Sequence, residues 1–459
     1  MKKENVCFLG IGLYWGWVFL ACLSKVLFPA EETATMYFLL NELLSLVFYV
    51  LALLFATVTA RSFMVNHVRR WPYVLPFLAA FGTILVVIAP YAPEPLILSL
   101  VIIGSVLTGL GSGVLLVIWA RVFVTFKSEE APRQIILALF TAIAVFLLTA
   151  FLPRPLPDIA AILLLPVSCV LCILVRWDAD QTIEEQSHLV PSGLPYPWKL
   201  GVGLLSTGFA FGLLFGLTLT DMQMGTELAL ICLLVNGCIG IAVLIYTSVT
   251  GRNIGFSSAY MAILPLLGVG FLVLTALGTP FLLVSLFLVR AGYSLFDTLV
   301  WLQLPKVYRM THSIKGFTAS RLCLDGGVVL GLVLFYVLLV DRPFLLNFIL
   351  LGTAAVFLLT LTISLNENPT HAWHLLPVSS KSYRYQQACE MIRERHGLTN
   401  REVDVLSLLA RGRSGSYVRE KLCISQNTFQ THSRNIYRKL NIHSREDLIK
   451  LFDEVINSR

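Results

Sequence analysis

The stretch that follows Ser425 predicts a short amphipathic helix with polar chemistry on its outer side. Its inward side carries residues at helical spacing, namely Phe429, Ser433, Ile436 and Leu440. The outer side then carries four polar side chains, namely Gln430, Thr431, Arg434 and Arg438. Arginine can form two hydrogen bonds to guanine, and glutamine can do the same with adenine. The pattern therefore predicts a helix whose outer side fits the major groove of DNA.

Neighbouring residues predict the helices that must hold this one in place. Thr399, followed three positions later by Glu402, is the arrangement in which two side chains cap the first amides of a helix. An apolar face at helical spacing follows this pair. A second helix is expected over residues 416–422, and Ser425 is expected to cap the third. A fourth helix is expected to begin at Ser444. Together these elements predict a compact helical domain.

Three strings carry a family resemblance: LTNREVDVLSLLARG, ISQNTFQTHSRNIYRKL and SREDLI. They are similar to the LuxR-type helix-turn-helix domains, which bind DNA. The resemblance implies base-reading positions at Gln430, Thr431 and Arg434, and phosphate contacts at Thr428, Arg438 and Lys439. Phosphate contacts give salt-sensitive affinity without sequence choice. The resemblance also implies a homodimer on paired half-sites.

Three positions depart from the usual pattern of that family. Arg419 stands where the family usually has alanine at the contact between the second and third helices. Ser433 and Phe429 replace common valines. We therefore expect the packing of these two helices to differ in detail. A folded domain that does not bind DNA is the alternative interpretation.

The chain before this domain has the composition of a membrane protein. Apolar residues make up 57% of the whole sequence and charged residues only 13%, whereas soluble domains are about 25% charged. Twelve apolar runs are long enough, at about 20 residues, to cross the hydrocarbon layer as helices. They begin near Val6, Met36, Pro72, Leu96, Gln134, Leu156, Leu200, Thr226, Phe256, Pro280, Gly316 and Arg342. We therefore predict an all-α protein with a twelve-helix membrane domain over residues 1–365.

Lysine and arginine are concentrated in alternate loops, which is typical of the cytoplasmic side of a membrane protein. Arg69, Arg252 and Arg321 belong to this set, whereas the opposite loops contain only Arg154 and Arg342. With an even number of spans, both termini are expected in the cytoplasm. We therefore expect a multi-pass protein of the bacterial inner membrane, with the DNA-binding domain on the side where DNA is found.

The longest cytoplasmic loop, residues 176–199, divides the spans into two sets of six. Such a plan resembles the major facilitator superfamily of transporters. The glycine and aspartate of that family's signature loop between its second and third helices are missing from the sequence TARSFMVNHVRR at 59–70. After the last span, residues 366–396 are predicted to form a tether and a lead-in helix that ends at Gly397. The DNA-binding domain is predicted over residues 397–459.

Ionisable side chains within the spans are the candidate ligand-binding residues, because a charge inside a bilayer is costly and usually faces the bundle interior. The candidates are Arg290, Tyr293 and Asp297 on the tenth span, Asp325 on the eleventh and Glu42 on the second. An arginine with aromatic neighbours would suit a small carboxylate or an aromatic acid. The alternative is structural: Arg290 and the acids neutralise one another, and Lys25 pairs with Glu42.

These patterns together resemble membrane-tethered LuxR-type regulators with a facilitator-like domain. We expect a transcription regulator whose partners are DNA, the lipid bilayer and a small-molecule signal sensed by the membrane domain. The alternative is a transporter with a regulatory or inactive DNA-binding tail. The sequence contains no recognisable nucleotide-binding loop, metal cluster or nucleophile triad, so we expect no cofactor, no metal and no enzymatic reaction.

Overall fold

The computed structural model divides the chain into two compact units, Met1–Leu375 and Leu376–Arg459. The structure describes residues 3–21, 28, 32–65, 75–126, 130–186, 198–220, 225–250, 256–311, 314–339, 389, 392–393, 396–410, 414–422, 424–442, 444, 447–448 and 450–452. Throughout these residues the regular structure is helical and contains no strand. The prediction of an all-α protein is therefore confirmed.

The described part of the first unit contains eleven α-helices. They are α1 (Lys3–Ala21), α2 (Glu32–Val65), α3 (Leu75–Ile88), α4 (Glu94–Phe123), α5 (Ala131–Ala150), α6 (Leu156–Gln186), α7 (Trp198–Thr220), α8 (Gly225–Thr250), α9 (Phe256–Leu277), α10 (Leu282–Thr311) and α11 (Lys315–Leu334). Each begins within about four residues of a predicted span. The apolar runs therefore located these helices well.

Among the described residues, eight helices are long and apolar enough to cross a membrane. Three further apolar helices are shorter, namely Val6–Ala21, Pro76–Tyr91 and Ile263–Leu277. The predicted twelfth span, from Arg342, lies outside the described residues, and so does the predicted tether. The first unit is thus a polytopic membrane bundle in which the described helices match eleven of the predicted spans.

Glycines allow α7 and α11 to approach each other closely. A Cβ atom on Gly208 would lie 1.9 Å from the carbonyl oxygen of Leu324, and one on Gly327 would lie 2.2 Å from that of Leu205. In a bilayer, where helices gain little from hydrophobic burial against each other, such small residues bring backbones into van der Waals contact. This contact fixes the position of α11, which carries the candidate Asp325.

The second unit contains the predicted helix-turn-helix elements. They are α12 (Asn400–Ala410), α13 (Gly415–Leu422) and α14 (Gln426–Leu440). Before them, Cys389 and Ile392 are helical and buried against the core of this unit. Gly397 follows with a φ of +62°, and the amide of Leu398 donates to the carbonyl of Arg393 at 3.2 Å. This left-handed glycine ends the lead-in helix as the sequence predicted.

Side-chain caps set the beginnings of the helices in this unit. The amide of Thr399 donates to Glu402 at 2.8 Å, and the amide of Glu402 donates to the Thr399 hydroxyl at 3.3 Å. The Ser425 hydroxyl accepts from the amide three residues later at 3.2 Å. Ser444 accepts in the same way at 3.1 Å, where the described part of the fourth helix begins. Both predicted caps, at Thr399 and Ser425, are present, and Ser444 caps the fourth helix at its predicted beginning.

Candidate DNA-reading helix and membrane cavity

The outer side of α14 is open to solvent. Its exposed side chains are Thr428, Gln430, Thr431, Arg434 and Arg438. On the opposite side, Ile436 and Leu440 are buried in the core. The helix therefore presents the three predicted base-reading side chains together on one accessible side. Their contacts with bases stay a prediction.

Two residues that depart from the LuxR-type pattern, Phe429 and Arg419, lie at the contact between α13 and α14. A Cβ atom on Gly415 would lie 2.8 Å from the ring of Phe429, so the glycine provides room for that ring. Arg419 donates to the carbonyl of Gly415 at 3.4 Å and to the side chain of Gln426 at 3.3 Å. The larger side chains are thus accommodated, and Arg419 links the two helices.

Lys439, predicted to contact phosphate, is bonded within its own domain. Its ammonium donates to Oε2 of Glu402 at 2.7 Å and to the carbonyl of Gly397 at 2.9 Å. The carboxylate of Glu402 also caps α12 at Thr399. Lys439 therefore joins the end of α14 to the beginning of α12. Its phosphate contact stays a prediction beside this structural role.

The hydrogen bonds to the carboxyl group of Glu402 determine its charge state. Burial by itself raises the pKa of its carboxyl group, but hydrogen bonds from Lys439 and Thr399 outweigh burial. The resulting pKa lies below the ordinary value for glutamate. The ionised carboxylate is therefore the form that the folded domain holds.

A cavity of about 180 Å³ lies inside the membrane unit. All five candidate ligand-binding residues line it, namely Glu42, Arg290, Tyr293, Asp297 and Asp325. Most of the remaining lining is apolar or aromatic, including Trp15, Trp17 and Phe211. The sequence therefore identified the residues of a shared cavity from three different helices. It did not identify Arg321, Tyr49 or Asn236, which also line this cavity.

Arg321 is the centre of a polar cluster in this cavity. The expectation that it lies in a cytoplasmic loop was wrong, because it is buried inside α11. It forms ion pairs with Asp297 and, at 3.0 Å, with Asp325. The hydroxyl groups of Tyr49 and Tyr293 donate to Asp325 at 3.1 and 2.9 Å. Two carboxylates thus pair with Arg321, and a tyrosine from α2 joins the cluster on α10 and α11.

Arg290 has a different environment. Its side chain is buried, with 5% of the residue exposed. Its guanidinium carbon lies 4.8 Å from the ring centre of Phe211 and 4.9 Å from that of Tyr293, which is favourable for a cation. It makes a long contact of 3.5 Å with Asn236. Its Nε has no hydrogen-bond partner within the described residues, and none of the carboxylates described lies in ion-pair distance.

The structural alternative for Arg290 was therefore wrong as far as the structure describes the chain. Asp297 and Asp325 are paired with Arg321 instead. The sequence could not make this distinction, because seven residues separate Arg290 from Asp297 on one helix face and the competing arginine seemed to belong to a loop. Only the packing of α10 against α11 assigns the acids to their partner.

Glu42 lines the same cavity from α2. It is buried, with 6% of the residue exposed. Its Oε1 has no hydrogen-bond partner among the residues that the structure describes. The predicted partner Lys25 lies outside the described residues. Burying a polar atom without a hydrogen bond is costly, so a bound molecule that donates a hydrogen bond to this oxygen would relieve that cost.

The family comparison matches the second unit. Residues 396–452 match the model for bacterial regulatory proteins of the luxR family. These residues form a LuxR-type DNA-binding domain. The match covers the helices with the caps and the exposed side of α14 described above, so the LuxR-type resemblance seen in the sequence is confirmed for this part of the chain.

Several curated bacterial proteins share this LuxR-type domain. The response regulatory protein YgeK of Escherichia coli is 41% identical over 66 residues, which cover 14% of this chain and 45% of that protein. The nitrate/nitrite response regulator NarP of Escherichia coli is 47% identical over 55 residues, covering 12% and 26% respectively. The chain thus spans less than half the length of these relatives, and the likeness is confined to the DNA-binding domain.

Solved structures match the membrane unit. A bacterial homologue of the iron transporter ferroportin has a TM-score of 0.54 and 16% identity, covering 80% of this chain and 100% of that one. The human organic anion transporter MFSD10 has a TM-score of 0.50 and 16% identity, covering 79% and 98%. At this identity the likeness shows the fold alone. The protein thus combines a major-facilitator-like membrane fold with a LuxR-type domain.

Proposed function

We propose that this protein is a transcription regulator of the bacterial inner membrane, controlled by a small molecule that binds in the membrane cavity. The observation that carries the proposal is Arg290. It is a buried cation that lines a cavity and has no carboxylate partner in the described part of the chain. A buried charge is costly unless it is paired, and ionisable groups of this kind inside a bundle mark ligand pathways. The same chain contains a LuxR-type domain.

The DNA-binding half of the proposal assigns roles on α14. Gln430, Thr431 and Arg434 bind bases in the major groove, and Thr428, Arg438 and Lys439 bind phosphates. Their support is the exposed side of α14 and the family match. The domain acts as a homodimer on paired half-sites, as is common for helix-turn-helix proteins. Neither this role nor ligand sensing involves an enzymatic reaction.

Regulation requires that the ligand binds one conformation of the membrane unit more tightly than another. A shift between these conformations then changes whether two DNA-binding domains can meet on one operator. Because tethering to a membrane raises the local concentration of the domains, small changes in their placement have large effects on paired binding.

The proposal needs the DNA-binding domain to be cytoplasmic. The concentration of lysine and arginine in alternate loops supports this orientation. Reporter fusions after Ser187 and after Arg459 are expected to be cytoplasmic, and fusions near Thr33 or Pro93 periplasmic. A periplasmic signal at Arg459 would rule out the DNA-binding role.

A reporter experiment in cells tests the function. Operator DNA is first selected from random sequence with residues 376–459, and it is then placed before a reporter gene in cells that carry the full chain. A panel of small acids, amines and zwitterions is added to the cultures. We expect at least one compound to change reporter output with the full chain but not with Arg290→Gln. Arg154→Gln, an exposed arginine outside the cavity, is the control and should respond normally.

A transporter with a regulatory tail is the second candidate function. The observation that favours it is the fold likeness to two transporters. Transport requires that a chain lacking residues 376–459 moves a compound across a vesicle membrane. Accumulation of the inducing compound by that shortened chain would support transport, and binding without accumulation would support a sensor.

A further inference from the structure

Resting on the proposed function, we propose that the cavity binds a small zwitterion. Its carboxylate pairs with Arg290 and its ammonium group pairs with Glu42. An apolar body about the size of one aromatic ring separates the two charged ends. The observations behind this assignment are two buried groups of opposite type, each with an unpartnered atom in the described part of the chain, that line one cavity.

The anionic end belongs at Arg290 rather than at Arg321. Arg321 already pairs with Asp297 and Asp325, so a second anion there would meet two carboxylates. Among the described residues, Arg290 has the long contact to Asn236 and the faces of two aromatic rings. Planar guanidinium groups bind carboxylates with two parallel hydrogen bonds. A carboxylate at Arg290 would thus use donors that the described residues leave unsatisfied.

A single negative charge fits this position better than two. The cavity contains one arginine without an acid partner in the described residues, and the other arginine already has two acid partners, Asp297 and Asp325. A dianion such as a phosphate monoester would add a charge that no described group compensates, near the carboxylates of Asp297 and Asp325. A monoanionic carboxylate is compensated by Arg290 itself.

The cationic end belongs at Glu42 rather than at the other acids. Asp325 already accepts from Tyr49, Tyr293 and Arg321. Glu42 retains an oxygen without a hydrogen-bond partner in the described chain. An ammonium group carries three donors and can satisfy this oxygen while neutralising the carboxylate.

The two ends of the ligand are separated because the two groups lie on different helices. Glu42 is on α2, which packs against α4 and α11, whereas Arg290 is on α10, which packs mainly against α7, α8 and α9 and less extensively against α4, α5 and α11. The cavity between them has a volume of about 180 Å³. An apolar cavity of about 150 Å³ holds one benzene ring. A ring or a chain of similar size therefore fits between the charged ends, against Trp15, Trp17 and Phe215.

Binding of matched probes to the full chain in lipid nanodiscs tests the assignment. The zwitterions are para-aminomethylbenzoate and epsilon-aminocaproate, which carry the same charges on a ring and on a flexible chain. Para-toluate keeps only the carboxylate, and para-methylbenzylamine keeps only the ammonium. We expect at least one zwitterion to bind about 30-fold or more tighter than either single-charge probe, as for other close charge pairs. Equal affinities, or no binding of either zwitterion, would overturn the assignment.

Two variants test which residue binds each charged end of the ligand. In Arg290→Gln, the zwitterion should bind no better than para-methylbenzylamine, and in Glu42→Gln it should bind no better than para-toluate. Arg154→Gln and Glu94→Gln, which change exposed residues outside the cavity, should keep the full preference. A zwitterion preference that survives either cavity variant would contradict the pairing assigned to that end. Monodisperse protein with a single cooperative thermal unfolding transition shows that each variant is folded.

The same samples separate this inference from the proposed function. Zwitterion binding that leaves operator affinity unchanged would contradict regulation while supporting the ligand assignment. A change of operator affinity with para-toluate, without any preference for a zwitterion, would contradict the ligand assignment while supporting regulation.

Discussion

The two units of this protein differ in whether their buried charged groups have partners. In the DNA-binding unit, the buried carboxylate of Glu402 is bonded to Lys439 and Thr399. In the membrane unit, Arg290 and Glu42 line a cavity, and Nε of Arg290 and Oε1 of Glu42 have no hydrogen-bond partner in the described residues. A buried charge with a partner stabilises the fold. A buried charge without a partner lowers the stability of the fold, and such a cost is typical of functional sites. Under the proposed function, the membrane unit binds its ligand in the interior, and the DNA-binding unit binds DNA through its surface.

Within the membrane unit, Arg321 lines the same cavity as Arg290 but is paired with acids. Arg321→Gln should have the largest effect of the variants considered, because it leaves the buried Asp325 and the half-buried Asp297 without their cation. Breaking a buried pair in this way costs about 3 to 5 kcal/mol. Thermal unfolding of purified protein in detergent measures the loss. A melting temperature equal to that of the Arg154→Gln control would show that this cluster does not stabilise the bundle.

In the DNA-binding unit, Lys439→Met should remove the partner of Glu402. Losing a hydrogen bond to a charged group costs about 1.5 to 3 kcal/mol. The cost is largest above the ordinary pKa of glutamate. Because the folded-state pKa of Glu402 is lowered, the carboxylate stabilises the fold at neutral pH, and this stabilisation disappears as the pH falls through the lowered pKa.

The pH dependence provides the control for this variant. Urea unfolding of residues 376–459 should show a drop of stability in acid that is smaller in Lys439→Met than in the wild type. Arg401→Met, which removes an exposed cation from the same unit, should keep the acid-induced drop. An identical pH profile in wild type and Lys439→Met would contradict the structural role of Lys439.

On the surface of that unit, Arg434→Ala should weaken operator binding by about 1 to 3 kcal/mol for each lost base contact and relax sequence choice. Binding to random DNA should fall much less. Competition binding with operator and random duplexes measures the difference, and Arg401→Ala is the matched loss of an exposed charge. Equal losses on both duplexes would mean that Arg434 does not read a base.

The smallest effect on stability is expected for Arg290→Gln, and its sign is opposite to that of Arg321→Gln. Removing a buried charge that lacks an acid partner should stabilise the empty protein by about 0.5 to 2 kcal/mol. Thermal unfolding without added compounds measures this change. A clear destabilisation would mean that Arg290 has a structural partner, and the contrast between the two arginines would then disappear.

Local features of the fold could be predicted from the sequence. Apolar runs of about 20 residues located α1–α11, because the length needed to cross a bilayer is fixed by physics. The caps at Thr399 and Ser425 and the beginning of a helix at Ser444 were also predictable. Each of these signals is local, since it depends on residues within one helix or one turn.

Partner choice inside the cavity was not predictable in this way. The acids Asp297 and Asp325 pair with Arg321, which the sequence assigned to a loop because it lies close to the beginning of α11. The approach of α7 and α11 through Gly208 and Gly327 likewise depends on the whole bundle. Contacts between helices far apart in sequence decide which charges are paired. The sequence therefore predicts which residues line the cavity, but it does not predict which of them form ion pairs with one another.

The most direct test of the account is the operator affinity of the full chain in lipid nanodiscs, measured with the cavity empty and with it occupied. Thermal stabilisation of the membrane unit identifies a compound that occupies the cavity. Such a compound should change the operator Kd by about fivefold or more in the wild type and leave it unchanged in Arg290→Gln. A compound that occupies the cavity in the wild type without changing the operator Kd would contradict the account.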